Sequence, residues 1–164
     1  MTALAGEITK IAAFSDAEVV VRSDIDAVTE PVLDAVVFQM TDMLSDGRYG
    51  PALEKLQQLL KLQQKPIAIL GAIGNHFRRI SAAVVLNSNG KNANELTKIC
   101  GVSDYVAKKI MGVAKKFRAS FCAFVAEQIV ETDSKMKTSY DDPERLLELL
   151  LLRLSEEAKN GKYT

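Results

Sequence analysis

The chain has 164 residues, 48% of them hydrophobic. That is enough for one ordinary domain with a real core, and it excludes a disordered polypeptide. Lys and Arg number 21 and Asp and Glu number 21, so the overall charge points to no polyanionic partner.

From the N-terminus, Leu4, Ile8 and Ile11 recur at helical spacing, and Phe14 to Asp16 end that run. Glu7 and Lys10 interrupt its apolar residues too early for a secretory signal. Glu18 to Arg22 is a short β-branched stretch, after which Ser23 caps a helical turn whose Asp24 and Asp26 suit the positive end of a helix. Pro31 fits a first helical position and opens a longer, more regular pattern. Leu33, Val36, Val37, Met40, Met43 and Leu44 form one stripe, stopped by Asp46-Gly47. Tyr49, Leu53, Leu56, Leu59 and Leu60 form the next. Pro66 starts a third through Leu70, Ile73, Phe77, Ile80 and Val84, ended by Asn87-Ser88-Asn89-Gly90. Three such stripes joined by short turns predict packed antiparallel helices.

Asn92 with Glu95 three residues on predicts a capping box before a short helix through Leu96 and Ile99, with Gly101 as its left-handed C-cap. Ser103 caps a further helix through Val106, Ile110, Val113 and Phe117. Its apolar face continues through Phe121, Phe124, Val125 and Ile129 to Thr132. Asp133 to Tyr140 reads as a polar, basic connection. Asp142-Pro143-Glu144 announces the last helix. Leucines at 146, 147, 149, 150, 151, 152 and 154 cover nearly its whole circumference, so it is buried on more than one side, either within its own domain or against another subunit. Glu148 and Arg153 interrupt this stretch, and it is far shorter than the ~20 residues of a membrane span. The expectation is a soluble, cytoplasmic, all-α helical bundle over residues 31–164, with residues 1–30 as a short helical appendage or the tail of a preceding domain.

Signals for catalysis are missing. The one histidine, His76, lies beside Arg78 and Arg79 without clustered carboxylates and reads as a surface or interhelix residue. There is no Gly-x-Ser-x-Gly elbow and no Gly-x-x-x-x-Gly-Lys-Ser/Thr loop to cradle a nucleoside triphosphate. Gly71 and Gly74 fall inside a helical stripe and suit close helix packing. Asp24 and Asp26 lack the rest of a calcium loop, and Glu127 and Glu131 share a helix face without a histidine-based metal motif. Cys100 and Cys122 lie far apart on apolar faces, which fits buried thiols in a reducing compartment. No catalytic residue, cofactor or metal site is expected.

Charge is unevenly distributed. Acidic residues predominate from Met1 to Leu62, whereas Lys91 to Arg118 holds Lys91, Lys98, Lys108, Lys109, Lys115, Lys116 and Arg118 against only Glu95 and Asp104. Such a surface is either a solvated helix face or a place to meet phosphates. Lys135 and Lys137 beside Tyr140 combine cations with a stacking ring, a pairing that suits single-stranded nucleic acid. Asn94 to Ser103 also has the local shape of a helix-turn-helix. The second helix lacks the Arg, Asn or Gln that read base edges, so its lysines position on phosphates without specifying sequence.

Several segments resemble one family in order. Ala5-Gly6-Glu7-Ile8-Thr9-Lys10-Ile11 and Ser23-Asp24-Ile25-Asp26-Ala27-Val28 are similar to the last helices of the middle domain of the delta subunit of bacterial DNA polymerase III clamp loaders. Val37-Phe38-Gln39-Met40-Thr41-Asp42 resembles the start of that family's C-terminal collar domain. Ile67 to Ile80 with Phe77-Arg78-Arg79, and Leu96 to Lys109 with Val102, Tyr105 and Lys109, follow it further. Asp133-Ser134-Lys135-Met136-Lys137-Thr138 and the leucine-rich helix resemble its ending.

The resemblance implies a collar that scaffolds a pentameric loader, which places the beta sliding clamp on primed DNA. Residues 1–30 would be a remnant of the middle (lid) domain and 31–164 the collar. The implied partners are the tau/gamma and delta-prime subunits, primed DNA in the assembled loader, and the beta clamp through an N-terminal AAA+-like domain with no counterpart here. Met1 is accordingly expected to be an artificial start. The chain itself is expected not to be an enzyme, although it serves the DNA-directed DNA polymerase III holoenzyme, a nucleotidyltransferase. Lys135, Lys137 and Tyr140 are the expected nucleic-acid contacts, and Leu147, Leu151 and Leu154 the expected subunit interface. A free-standing helix-turn-helix DNA-binding protein and a generic helical adaptor are the alternatives.

Overall fold

In the computed structural model the described residues are 32–160. Among them are seven helices and no strand: α1 (Val32–Ser45), α2 (Tyr49–Lys61), α3 (Pro66–Ser88), α4 (Ala93–Cys100), α5 (Asp104–Ala114), α6 (Ala119–Thr138) and α7 (Pro143–Asn160). The expected all-α bundle is what the described residues form. The expected appendage of residues 1–30 and the boundary near Pro31 lie outside the described residues.

The helices start and stop where local chemistry provides for their end groups. Pro66 opens α3, where its missing N–H leaves nothing unpaired. Ser103 Oγ accepts from the Val106 N–H at 3.4 Å, and Asp142 Oδ1 accepts from the Glu144 N–H at 3.0 Å. Asn92 caps α4 by accepting from the Asn94 N–H at 3.1 Å, while Glu95 pairs with Lys98 at 3.6 Å. Half of the expected capping box therefore forms. Gly101 ends α4 at φ +64, the left-handed conformation that a side chain makes costly.

The longest helix, α3, is central and packs against α1, α4, α5, α6 and α7. Its Ile69, Leu70, Ile73, Phe77 and Ile80 are buried in the single core cluster. Fully burying each such side chain stabilises the fold by about 1.5–3 kcal/mol. Two polar ties link distant parts of the chain: Lys116 Nζ donates to Asp42 at 2.7 Å, and Asn87 Nδ2 donates to the Met111 carbonyl at 3.2 Å.

The structure differs from the sequence expectation in two segments. The helix expected from Ser103 to Thr132 is broken after Ala114 and restarts at Ala119. Phe117 lies in the break, stacked on Phe121 with centroids 5.3 Å apart and edge-on to Phe77 at 5.8 Å. Burial of that ring in an aromatic cluster outweighs the helix-forming tendency of its neighbours. The residues 133–138, expected as a connection, instead form the last turns of α6. Ion pairs four residues apart support them: Lys135 with Glu131 and Lys137 with Asp133, each at 2.6 Å.

The nearly continuous leucine surface of α7 has a plain origin. The helix packs against α1, α2, α3 and α6 at once. Leu146, Leu147, Leu150, Leu151 and Leu154 are buried there, Leu152 is half-buried, and Leu149 is 43% exposed.

Candidate functional site

The three expected nucleic-acid contacts sit at the α6–α7 turn, but they do not form one patch. Lys135 and Lys137 are two positions apart on a helix, about 200° around it. Each ammonium is held by a carboxylate of its own helix, on Glu131 and Asp133. Hydrogen bonds from Lys135 and Arg153 lower the Glu131 pKa, so this carboxylate stays ionised beside Lys135. Tyr140 is wholly uncovered and offers a free ring.

The expected interface leucines need a correction. Leu147, Leu151 and Leu154 are each 0% exposed. The chain's own helices close them off, and they belong to the core cluster. The outward side of α7 carries Leu149 and Leu152 instead. With Tyr49 they line an open groove of about 430 Å³, rimmed by Asp142, Glu144, Arg145 and Glu148. Partial burial and the nearby Glu148 raise the Tyr49 pKa, which keeps the phenol neutral.

The basic stretch resolves into occupied and free cations. Lys98 is paired with Glu95, and Lys116 bridges Asp42 and Asp46. Lys109 stands over the Phe38 ring at 4.4 Å and near the Tyr105 ring at 5.8 Å. Lys91, Lys108, Lys115 and Arg118 are exposed, and no ion pair engages them among the described residues. Gly101 separates α4 from α5, so the helix-turn-helix outline is present locally. The exposed side of α5 carries Tyr105, Lys108 and Lys109, with no Arg, Asn or Gln among them.

A cleft that the sequence did not reveal lies between α1, α3 and α5. It encloses about 220 Å³, and its lining includes Asp34, Phe38, His76, Arg79, Tyr105 and Lys109. His76 is an interhelix residue, 6% exposed, with its ring 5.1 Å from that of Phe38 in an edge-on contact. Burial, with a smaller contribution from Arg79, pushes its pKa down to about 4. A lone histidine just before two arginines gave no periodic signal for such a cleft, which three helices distant in sequence build. Among the described residues no group of three or more His, Cys, Asp or Glu could hold a metal ion. Cys122 is buried and Cys100 half-buried, both as free thiols. Burial raises the Cys122 pKa, which disfavours the reactive thiolate.

Residues 34–154 match the family model of the DNA polymerase III delta subunit, C-terminal domain. The chain belongs to that family. The matched span falls within the helical bundle and runs from the start of α1 to the buried half of α7. DNA polymerase III subunit delta of Bacillus subtilis (strain 168) is 28% identical over 149 residues, covering 90% of this chain and 43% of that protein. The solved structure of the Bacillus subtilis DNA clamp loader delta protein is similar with a TM-score of 0.74 and 26% identity, covering 95% of this chain and 46% of that one. The chain thus spans less than half the length of these delta relatives. No helix among the described residues is long and apolar enough to cross a membrane.

Proposed function

We propose that this delta-family bundle is a clamp-loader collar, which holds neighbouring subunits together so that the loader can place the beta clamp on primed DNA. The observation that carries the reading is the coincidence of the family match over 34–154 with a self-contained bundle over 32–160. In this role the chain binds the tau/gamma and delta-prime subunits and works in the cytoplasm. ATP hydrolysis and DNA synthesis belong to other members of the holoenzyme. Contact with the beta clamp runs through the AAA+-like domain of a full-length delta subunit. Residues 1–30 serve as the end of the lid domain, and residues 31–164 as the collar.

The subunit contact is assigned to the outer side of α7 and the start of α2. Leu149 and Leu152 supply apolar area, and Asp142, Glu144 and Glu148 select a partner helix flanked by Lys or Arg. Tyr140 is assigned to the template strand, where stacking on the uncovered ring is its main contribution, and Lys135 and Lys137 are assigned there only as cations already paired with Glu131 and Asp133. The test is size-exclusion chromatography of the chain with the tau/gamma and delta-prime subunits of the same organism. The parent chain is expected to co-elute with them, and Leu149→Glu to elute alone. A parent chain that elutes alone would remove the collar reading.

A further inference from the structure

The outer face of α5 combines lysines with an exposed aromatic ring. Tyr105, Lys108, Gly112 and Lys115 follow one another at spacings of three, four and three, so they form one stripe along the helix. All four positions are exposed, and the Tyr105 ring is 72% uncovered. With a rise of 1.5 Å per residue the stripe is about 15 Å long. Arg118 lies just beyond its end, also exposed and unpaired among the described residues.

Two carboxylates lie beside the stripe and offset part of its charge: Asp34 lines the cleft shared with Tyr105 and Lys109, and Asp104 stands four residues before Lys108. Asp104 Oδ1 accepts from the Thr97 hydroxyl at 3.1 Å, Glu95 faces Lys98, and Asp42 is taken by Lys116. Lys109 is drawn off the stripe toward Phe38, and at 5.8 Å from the Tyr105 ring it adds a cation beside it. Gly112 has nothing within 4 Å of where a Cβ would stand, which leaves a shallow notch between the two lysines.

We propose that this stripe binds the sugar–phosphate backbone of a single-stranded nucleic acid, with one base stacked on Tyr105. Lys108, Lys115 and Arg118 neutralise successive phosphates, the strand settles into the notch at Gly112, and the ring takes an unpaired base at the N-terminal end. A single strand fits better than a duplex, because an exposed ring stacks only on a base that has left its own stack. A protein partner fits less well, because lysine, the commonest residue of the stripe, is depleted from interface cores. This site is separate from Lys135, Lys137 and Tyr140 and does not depend on assembly of the loader.

The test is fluorescence anisotropy of the chain with a labelled twenty-nucleotide oligothymidylate, titrated at several salt concentrations. The double variant Lys108→Glu/Lys115→Glu is expected to bind at least tenfold more weakly. Its plot of log affinity against log salt should flatten by about 1.4, two phosphates at roughly 0.7 each. Tyr105→Ala is expected to lose about tenfold and Tyr105→Phe to bind as the parent does. Lys61→Glu, on α2, should change nothing. Circular dichroism of each variant keeps loss of fold separate from loss of binding. The proposal is overturned if the parent does not bind the oligonucleotide, or if the double variant binds it equally well. It is also overturned if Tyr105→Ala is silent while poly-glutamate displaces the strand as readily as unlabelled oligothymidylate does. None of these outcomes bears on co-elution with the loader subunits.

Discussion

His76 links the interior of the bundle to pH. Its folded pKa, near 4, lies below the ordinary value of 6.5, so between those values the unfolded chain binds a proton that the folded chain refuses. Stability is therefore highest above about 6.5, falls as the pH drops toward 4, and changes no further on this group's account below that. The depression corresponds to about 3 kcal/mol at most, at 1.36 kcal/mol per unit. Thermal melts should show the parent losing more stability between pH 6.5 and 4 than His76→Phe, which keeps a ring against Phe38 but has no proton to bind there. Equal slopes in both would refute the assignment. The leucines of α7 allow a second comparison. Leu147→Ala removes a fully buried side chain and should cost about 2–5 kcal/mol in denaturant unfolding, whereas Leu149→Glu should stay within about 0.5 kcal/mol of the parent. Which leucine faces outward was not legible in the sequence. A helix apolar on every side gives no phase, and only packing against four other helices exposes Leu149 while hiding Leu147, Leu151 and Leu154.

At the scale of the element, caps and stripes were legible wherever local chemistry decides the outcome. Gly101 adopts the left-handed conformation and Ser103 caps α5, as their neighbours imply. Gly101→Ala should cost about 1–2 kcal/mol and Ser103→Ala about 1 kcal/mol, read from shifts in the urea midpoint at unchanged slope. Two features were not legible because tertiary or charge effects decide them. The break at Lys115–Arg118 contains neither glycine nor proline and exists because Phe117 joins the Phe77 and Phe121 rings. The segment 133–138 looks like a polar connection in composition, yet its Glu131–Lys135 and Asp133–Lys137 pairs carry α6 through it. The same pairs changed the expected nucleic-acid site by occupying both of its lysines. On α5, Lys109 is drawn to the Phe38 ring while Lys108 carries no ion pair among the described residues, a difference that charge counting along a sequence does not show.

At the largest scale, α3 at the centre and α7 enclosed by four helices hold the described residues together in one core. Salt bridges such as Lys116–Asp42 and Arg153–Glu131 tie distant segments together at the surface, where each is worth no more than about 1 kcal/mol. The fold class and the family were legible because the order of stripes and turns along the chain is itself the pattern of a delta C-terminal domain. The contact surfaces were not, because they depend on what the core leaves outside. The proposed collar role gives this bundle one position among loader subunits. Native mass spectrometry of the chain mixed with the tau/gamma and delta-prime subunits tests it most directly. One dominant species containing a single copy of the chain is expected. The chain observed only as a free species, with the other subunits assembled without it, would contradict the claim.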